Sequence, residues 1–316
     1  MKKAGWFFGV FLVLTVLAAL FFKAAPYNRK FEKTEFLFDT TCTVTAYGKG
    51  AEAAVEAVFE RLEEIHRETD MFSENSTVAR FNFAKMGETI DANEDLTKIL
   101  ETAVEIGKHS NGAFDVTIAP VVQLWNFSGD GRVPSKSEIE EKLELVGLDK
   151  LVFEKSGRLG KNIDGVMLDL GGAAKGYAGD EAIEVLKNHG VSGAVVDLGG
   201  NITCFGDNPA TSDGKWRIGL QKPFSPTGEF DDVVEIKSGA VVTGGTYQRY
   251  FEKNGKKYHH IIDPHTGYPS HKEYSSVTIV AENGLLADCL ATACFVMGKE
   301  EGSAFAEMFG AEAIYK

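Results

Sequence analysis

Residues 5–22 carry no charged side chain, and this run of 18 constrains the chain more than any other feature. Trp6, Phe7, Phe8, Phe11, Leu12, Leu14, Leu17 and Leu20 lie within it. As a helix it would rise about 27 Å, near the thickness of a bilayer's hydrocarbon core. Lys2 and Lys3 precede it, and the exit reads Leu20-Phe21-Phe22-Lys23-Ala24-Ala25-Pro26. A cleavable signal peptide normally has a shorter apolar stretch and small residues at its cleavage site. An uncleaved single-span anchor over residues 1–25 is therefore expected, with a cleaved signal and a buried core helix as the alternatives. Lys23, Arg29, Lys30 and Lys33 flank the far side at least as heavily as Lys2 and Lys3 flank the near side, so charge alone leaves the orientation open.

The remainder has the opposite character. Of 33 Lys plus Arg and 46 Asp plus Glu, residues 1–34 take six basic and one acidic, leaving a net charge of -18 for the rest. Such a surface disfavours non-specific nucleic-acid binding, which rewards clustered cations. Cys42, Cys204, Cys289 and Cys294 have no CxxC spacing and read as small buried hydrophobes.

Residues 26–34 read as a short polar linker before one domain spanning 35–316. A strand is expected over residues 36–47, and Val55, Val58, Phe59, Leu62 and Ile65 then form a helical stripe. Further helices follow from Leu96, Ile99, Leu100, Ala103 and Val104, from Ile139, Leu143 and Val146, and from residues 182–186. Residues 151–153, 166–170, 194–198, 233–236, 259–262 and 276–280 read as strands. Because many late strands are joined by short turns, the pattern predicts a single layered α+β domain rather than a doubly wound sheet. Asp169-Leu170-Gly171-Gly172 recurs as Asp197-Leu198-Gly199-Gly200, a small echo that allows an internal duplication.

Four segments could carry chemistry. In the first, Asp169-Leu170-Gly171-Gly172 leads through Lys175 into a helix reaching about Lys187. Paired glycines let a ligand approach the backbone, and helix-start amides favour an anion. Lys175 is misplaced at that positive end unless something negative binds there; the bland reading is a lysine reaching into water. In the second, Asn283 caps a helix that Gly298 ends, and Asp288 and Thr292 share one face of it. A carboxylate on that apolar helix needs a partner, either a Lys or Arg or a hard cation such as Mg2+. The third runs from Val242 through Gln248 and Arg249 to Phe251 and then holds Tyr258-His259-His260-Ile261-Ile262-Asp263-Pro264, where adjacent histidines on a strand would face opposite sides. The fourth, Gly112-Ala113-Phe114-Asp115-Val116-Thr117, reads as a turn entering a structured segment.

In their order and separation these segments, with Ala287-Asp288 and Ala291-Thr292-Ala293 in the second, resemble the ApbE family, the FAD:protein FMN transferases. The resemblance implies a Mg2+-dependent enzyme that cleaves FAD, transfers FMN to a Thr or Ser hydroxyl of a flavin-accepting protein and releases AMP. It implies that Ala113, Phe114, Asp115, Asp169, Lys175 and Ile262 line the FAD site. Asp288 and Thr292 would hold the metal with the main-chain carbonyl of Gly172, and His260 would be the base. It further implies a catalytic domain on the extracytoplasmic side of the membrane, acting on a membrane redox protein there. Three places depart from the family pattern: Thr41-Cys42-Thr43, residues 72–76, and Gly245 within Thr243-Gly244-Gly245-Thr246-Tyr247. No role is carried over from them. An FAD-binding or FAD-hydrolysing protein without acceptor transfer and an anchored solute-binding protein are the competing readings.

Overall fold

The structure is a computed structural model and describes residues 29–226 and 228–316. The expected span at residues 5–22 lies outside them; among the described residues no helix is long and apolar enough to cross a membrane.

In chain order, β1 (Lys30–Leu37) and β2 (Thr40–Tyr47) form a hairpin that leads into helices α1 (Ala51–Thr69) and α2 (Thr77–Phe83). The short β3 (Ile90–Asp91) precedes α3 (Glu94–His109), α4 (Ala119–Trp125) and α5 (Lys136–Leu143). Next come β4 (Leu151–Phe153), β5 (Arg158–Lys161), α6 (Ala174–Asn188), β6 (Gly193–Leu198), β7 (Asn201–Gly206), β8 (Trp216–Gln221), β9 (Phe230–Ile236) and β10 (Gly239–Gly245). The chain closes with β11 (Tyr250–Lys253), β12 (Lys256–His259), β13 (Ser276–Ala281), α7 (Gly284–Met297), α8 (Lys299–Met308) and β14 (Glu312–Tyr315).

Seven strands form one sheet in the order β1-β2-β6-β7-β10-β13-β14, and every neighbouring pair is antiparallel. Alternation sorts its side chains onto two faces. Val196, Val242 and Ile279 join the main core with α1, α3, α6 and α7, whereas Val195, Val241 and Val280 meet Trp216 and Ile218 of the β8–β9 hairpin. The result is a helix layer, a sheet and a covering hairpin: the layered α+β arrangement expected. A smaller core of Val121, Trp125, Ile139, Val146 and Ile262 joins α4 and α5 to the β11–β12 hairpin. Tyr177 on α6 donates to Asp95 on α3 at 2.7 Å, and Arg61 on α1 donates to the same carboxylate at 2.8 Å.

Four local expectations are corrected. Residues 30–34, read as linker, are the first part of β1; Lys30 pairs with Glu32 at 2.8 Å, and such charges on an edge strand mask its alternation. The strand expected over 36–47 is broken by a turn at Phe38 and Asp39, with φ 52° and 55°. No glycine marks that turn; the Phe38 ring packs edge-on against His66 at 4.9 Å. Residues 166–170 form no strand and pair only through an isolated bridge from Met167 to Ile118, because the Asn82 amide satisfies both backbone groups of Leu168 at 2.7 and 3.1 Å. Finally, β12 ends at His259 and His260 lies in a bend. The four cysteines are free and buried, as expected.

The echoed tetrads differ in structure. Gly199 and Gly200, at φ 67° and 92°, make the two-residue turn of the β6–β7 hairpin, whereas Gly171 and Gly172 precede a helix without a left-handed residue.

Helices α6 and α7 cross at Gly176 and Gly284. A methyl group on Gly176 would meet the Gly284 carbonyl oxygen at 2.2 Å, and one on Gly284 would meet that of Gly176 at 2.4 Å. Gly176→Ala is therefore expected to cost about 3 kcal/mol, read as a lowered denaturant midpoint with an unchanged slope. A wild-type midpoint would mean that the helices separate at little cost.

Candidate active site

At one end of the sheet, the β1–β2 turn, the β6–β7 turn and the segment after β10 border a cleft of about 580 Å³, which α4 and the segment after β12 also line. That volume is in the range of small-molecule sites.

The α6–α7 crossing builds the floor. Because the two backbones touch, the buried Asp288 of α7 reaches α6, and its Oδ2 accepts from the Gly176 backbone N–H at 2.9 Å. One helical turn on, Thr292 lies against Gly172: a methyl there would be 3.0 Å from the Thr292 hydroxyl oxygen and 3.1 Å from the Phe114 ring. Three separate sequence segments thus converge on a glycine where a side chain would crowd its neighbours. Asp180 fixes α7 in place by accepting from the backbone N–H groups of Gly284 and Leu285 at 2.6 and 2.9 Å. Burial raises its carboxyl to about 6, against the lowering effect of those two donors. A folded-state value above the ordinary 3.8 means that protonation favours the folded protein, so stability should fall as pH rises through 6. The shift corresponds to about 3 kcal/mol. Asp180→Asn should flatten that dependence between about pH 4 and 7 in denaturation curves; an unchanged slope would remove Asp180 as its cause.

The Asp169 N–H donates to the Val116 carbonyl at 2.8 Å, and this pairing brings the Asp115 and Asp169 segments together. Asp115 Oδ1 accepts from the Thr117 N–H and hydroxyl at 2.7 and 2.6 Å, and Asp169 Oδ1 accepts from the Gly171 N–H at 2.8 Å. Burial raises both carboxyls above the ordinary range. Lys175 reaches back toward the Gly171 carbonyl at 3.4 Å, and Arg249 is 3.8 Å from Asp39; both cations line the cleft.

The two histidines divide as the sequence suggests, one inward and one into the cleft. His259 is buried: its Nε2 contacts the Ser270 carbonyl at 3.0 Å, while its Nδ1 accepts from the Ile261 N–H at 3.3 Å. It is a satisfied core residue. His260 Nδ1 lies 3.2 Å from the Arg249 carbonyl, which can only accept, so Nδ1 carries the proton and Nε2 keeps its lone pair. Burial pushes its pKa down to about 3, with help from the Arg249 and Lys175 charges.

Of the residues singled out from the sequence, Ala113, Phe114, Asp115, Asp169, Gly172, Lys175, His260, Ile262 and Thr292 line this cleft, and Asp288 sits in the buried floor beside them. Sequence reasoning missed Phe38, His66, Phe72 and Asn126, which also line it, and gave no role to Gln248 and Arg249 within its third segment. These come singly from turns and helix ends, where no periodicity or motif marks them. Phe72 stands in one of the three segments that depart from the family pattern.

Among the described residues no group of three or more His, Cys, Asp or Glu side chains gathers as a metal cluster. The oxygens of Asp288, Thr292 and the Gly172 main chain are nonetheless hard donors. One carboxylate with neutral oxygens suits a small divalent cation that completes its shell with water and phosphate.

Comparisons with known proteins show the family. The ApbE family model matches residues 38–315. An FAD:protein FMN transferase of Treponema pallidum is 32% identical over 305 residues, covering 91% of this chain and 84% of that protein. The crystal structure of the ApbE protein of Thermotoga maritima superposes with a TM-score of 0.83 at 33% identity, covering 91% of this chain and 94% of that one. The flavin transferase ApbE of Vibrio cholerae gives 0.81 at 28% identity, covering 91% and 93%. The fold is that of a flavin transferase, and the chain belongs to the ApbE family.

Proposed function

We propose that this enzyme transfers FMN from FAD to a Thr or Ser hydroxyl of a target protein and releases AMP, with Mg2+ bound at Asp288, Thr292 and the Gly172 carbonyl. One observation carries the reading: Lys175 and Arg249 bring positive charge into the same cleft as His260, whose neutral ring has a free Nε2. Two cations on an otherwise acidic protein suit a diphosphate, and the lone pair suits a hydroxyl that must lose its proton.

In this reading, the acceptor hydroxyl is held near His260 Nε2, which takes its proton as the oxygen forms a bond to the FMN phosphorus. The bond from that phosphorus to the bridging oxygen breaks, and AMP leaves with the oxygen. Lys175 and Arg249 balance charge on the phosphate oxygens, and fixing both reactants in one cleft supplies the alignment. Mg2+, when bound, polarises the phosphoryl group and stabilises the leaving phosphate. Ala113, Phe114 and Ile262 offer apolar contacts to FAD, and Asp115 and Asp169 offer acceptors for its N–H and O–H groups. We place the reaction on the extracytoplasmic face, with residues 5–22 as the tether and a redox protein of that compartment as the target.

The test is chemical balance. With FAD, Mg2+ and a flavin-accepting domain, AMP should appear in equal amount to protein-bound flavin. Release of AMP with free FMN and no bound flavin would make the protein an FAD hydrolase instead.

A further inference from the structure

The β11–β12 hairpin stands beside the cleft and runs against the charge of the whole protein. Residues 249–257 hold four cationic side chains and one acidic, in a domain with a large acidic excess. Tyr250 and Lys257 are exposed on the hairpin, and Phe224, from the loop between β8 and β9, is 50% exposed beside them. Lys257 Nζ lies 4.1 Å from the Phe224 ring centre and 5.2 Å from that of Tyr250.

Two features of the hairpin and the neighbouring Phe224 oppose folding. Phe224 has φ 58°, a left-handed conformation that costs a non-glycine residue about 1–2 kcal/mol. Lys253 and Lys256 lie directly opposite each other across the two strands, on the hairpin face that carries Phe251 and Tyr258 and away from Tyr250 and Lys257, where like charges destabilise a sheet. Neither lysine makes an ion pair among the described residues. The same hairpin is rigidly joined to the site. It starts after Arg249 and ends before His260, and the His260 N–H and Nδ1 both meet the Arg249 carbonyl, at 3.1 and 3.2 Å. Phe251 and Tyr258, on its other side, stack at 5.3 Å, and Phe251 packs on Phe127 of the cleft wall at 5.7 Å. With strands of four residues, the tip lies roughly 13 Å from His260.

We propose that this basic, aromatic hairpin, with Phe224, is the docking surface for the flavin-accepting protein and engages an acidic segment of it carrying an apolar side chain. The inference rests on the transfer reaction proposed above, which requires a protein hydroxyl to reach His260. Residues flanking that hydroxyl must then pass over the neighbouring surface. The lysines on both faces of the hairpin tip attract an acidic partner over a Debye length and set its approach, while Phe224 and Tyr250, on the Lys257 face, supply the apolar contact. Neither Phe224 nor any residue of the hairpin lines the cleft, so FAD bound there does not need them.

The test uses the full chain in detergent and, as probe, the flavin-free extracytoplasmic domain of a covalent-FMN redox subunit from the same genome. Binding is measured directly without FAD, and transfer is measured at saturating FAD. Lys253→Glu with Lys256→Glu should weaken binding and raise the acceptor KM about tenfold in low salt, a deficit that shrinks severalfold in high salt. Phe224→Gly removes the ring while keeping the left-handed backbone, and should raise the acceptor KM about fivefold. In both variants kcat and FAD affinity should stay within about twofold of wild type. Unchanged acceptor affinity overturns the proposal, as does a loss confined to kcat or to FAD binding. Wild-type binding that is sensitive to these variants but yields no FMN adduct would uphold the docking surface and sink the transfer reaction.

Discussion

Asp288→Ala should leave FMN transfer at least about 1,000-fold below wild type, whatever the Mg2+ concentration, since a lost metal site removes several kcal/mol of charge stabilisation. The buried carboxylate also holds the Gly176 N–H at the α6–α7 crossing, so alanine removes a structural contact as well. Leaving that N–H unpaired should cost about 1–3 kcal/mol of stability. Asp288→Asn separates the two roles, because its amide oxygen can still accept from Gly176 while the charge is gone. Asparagine should therefore keep most of the stability and lose transfer almost as completely as alanine. An asparagine variant with substantial Mg2+-dependent transfer would show that the metal is held elsewhere.

His260→Ala should lower kcat by roughly 100-fold to 10,000-fold and leave FAD affinity within about threefold. The pH dependence is more diagnostic. In the free protein burial holds His260 down at about 3, so it is neutral over the working range and kcat/KM should have no acid limb from it near 6.5. A base that weak would be poor at accepting a proton. A bound diphosphate places negative charge beside the ring and raises its affinity for a proton. The acid limb of kcat, which reports the bound complex, should thus lie at least about one pH unit above that of kcat/KM. His260→Ala should abolish the kcat limb. A variant that keeps both the rate and the limb removes His260 as the base.

Much of this was legible in the sequence because helical stripes and antiparallel alternation act over many residues. The stripe from Val55 to Ile65 became α1, and the alternation in residues 194–198 became β6. What failed was local and depended on distant partners. The edge strand β1 carries charges that hide its period, and residues 166–170 give their Leu168 hydrogen bonds to Asn82 in place of a neighbouring strand. The site divides in the same way. Asp288 and Thr292 sit at helical spacing on an apolar helix, a mismatch visible without a structure. Arg249 and Phe72 carry no such signal, since only tertiary contact brings them to the cleft. Asp180 could have been suspected as a carboxylate on a helix rich in alanine, but the chain alone gives no hint that it caps α7.

The most direct test of the central claim is the intact mass of a flavin-accepting domain after incubation with this enzyme, FAD and Mg2+. The predicted result is a gain of one FMN unit, mapped by fragmentation to a Thr or Ser oxygen and absent with Asp288→Asn. An acceptor of unchanged mass alongside consumed FAD would contradict it.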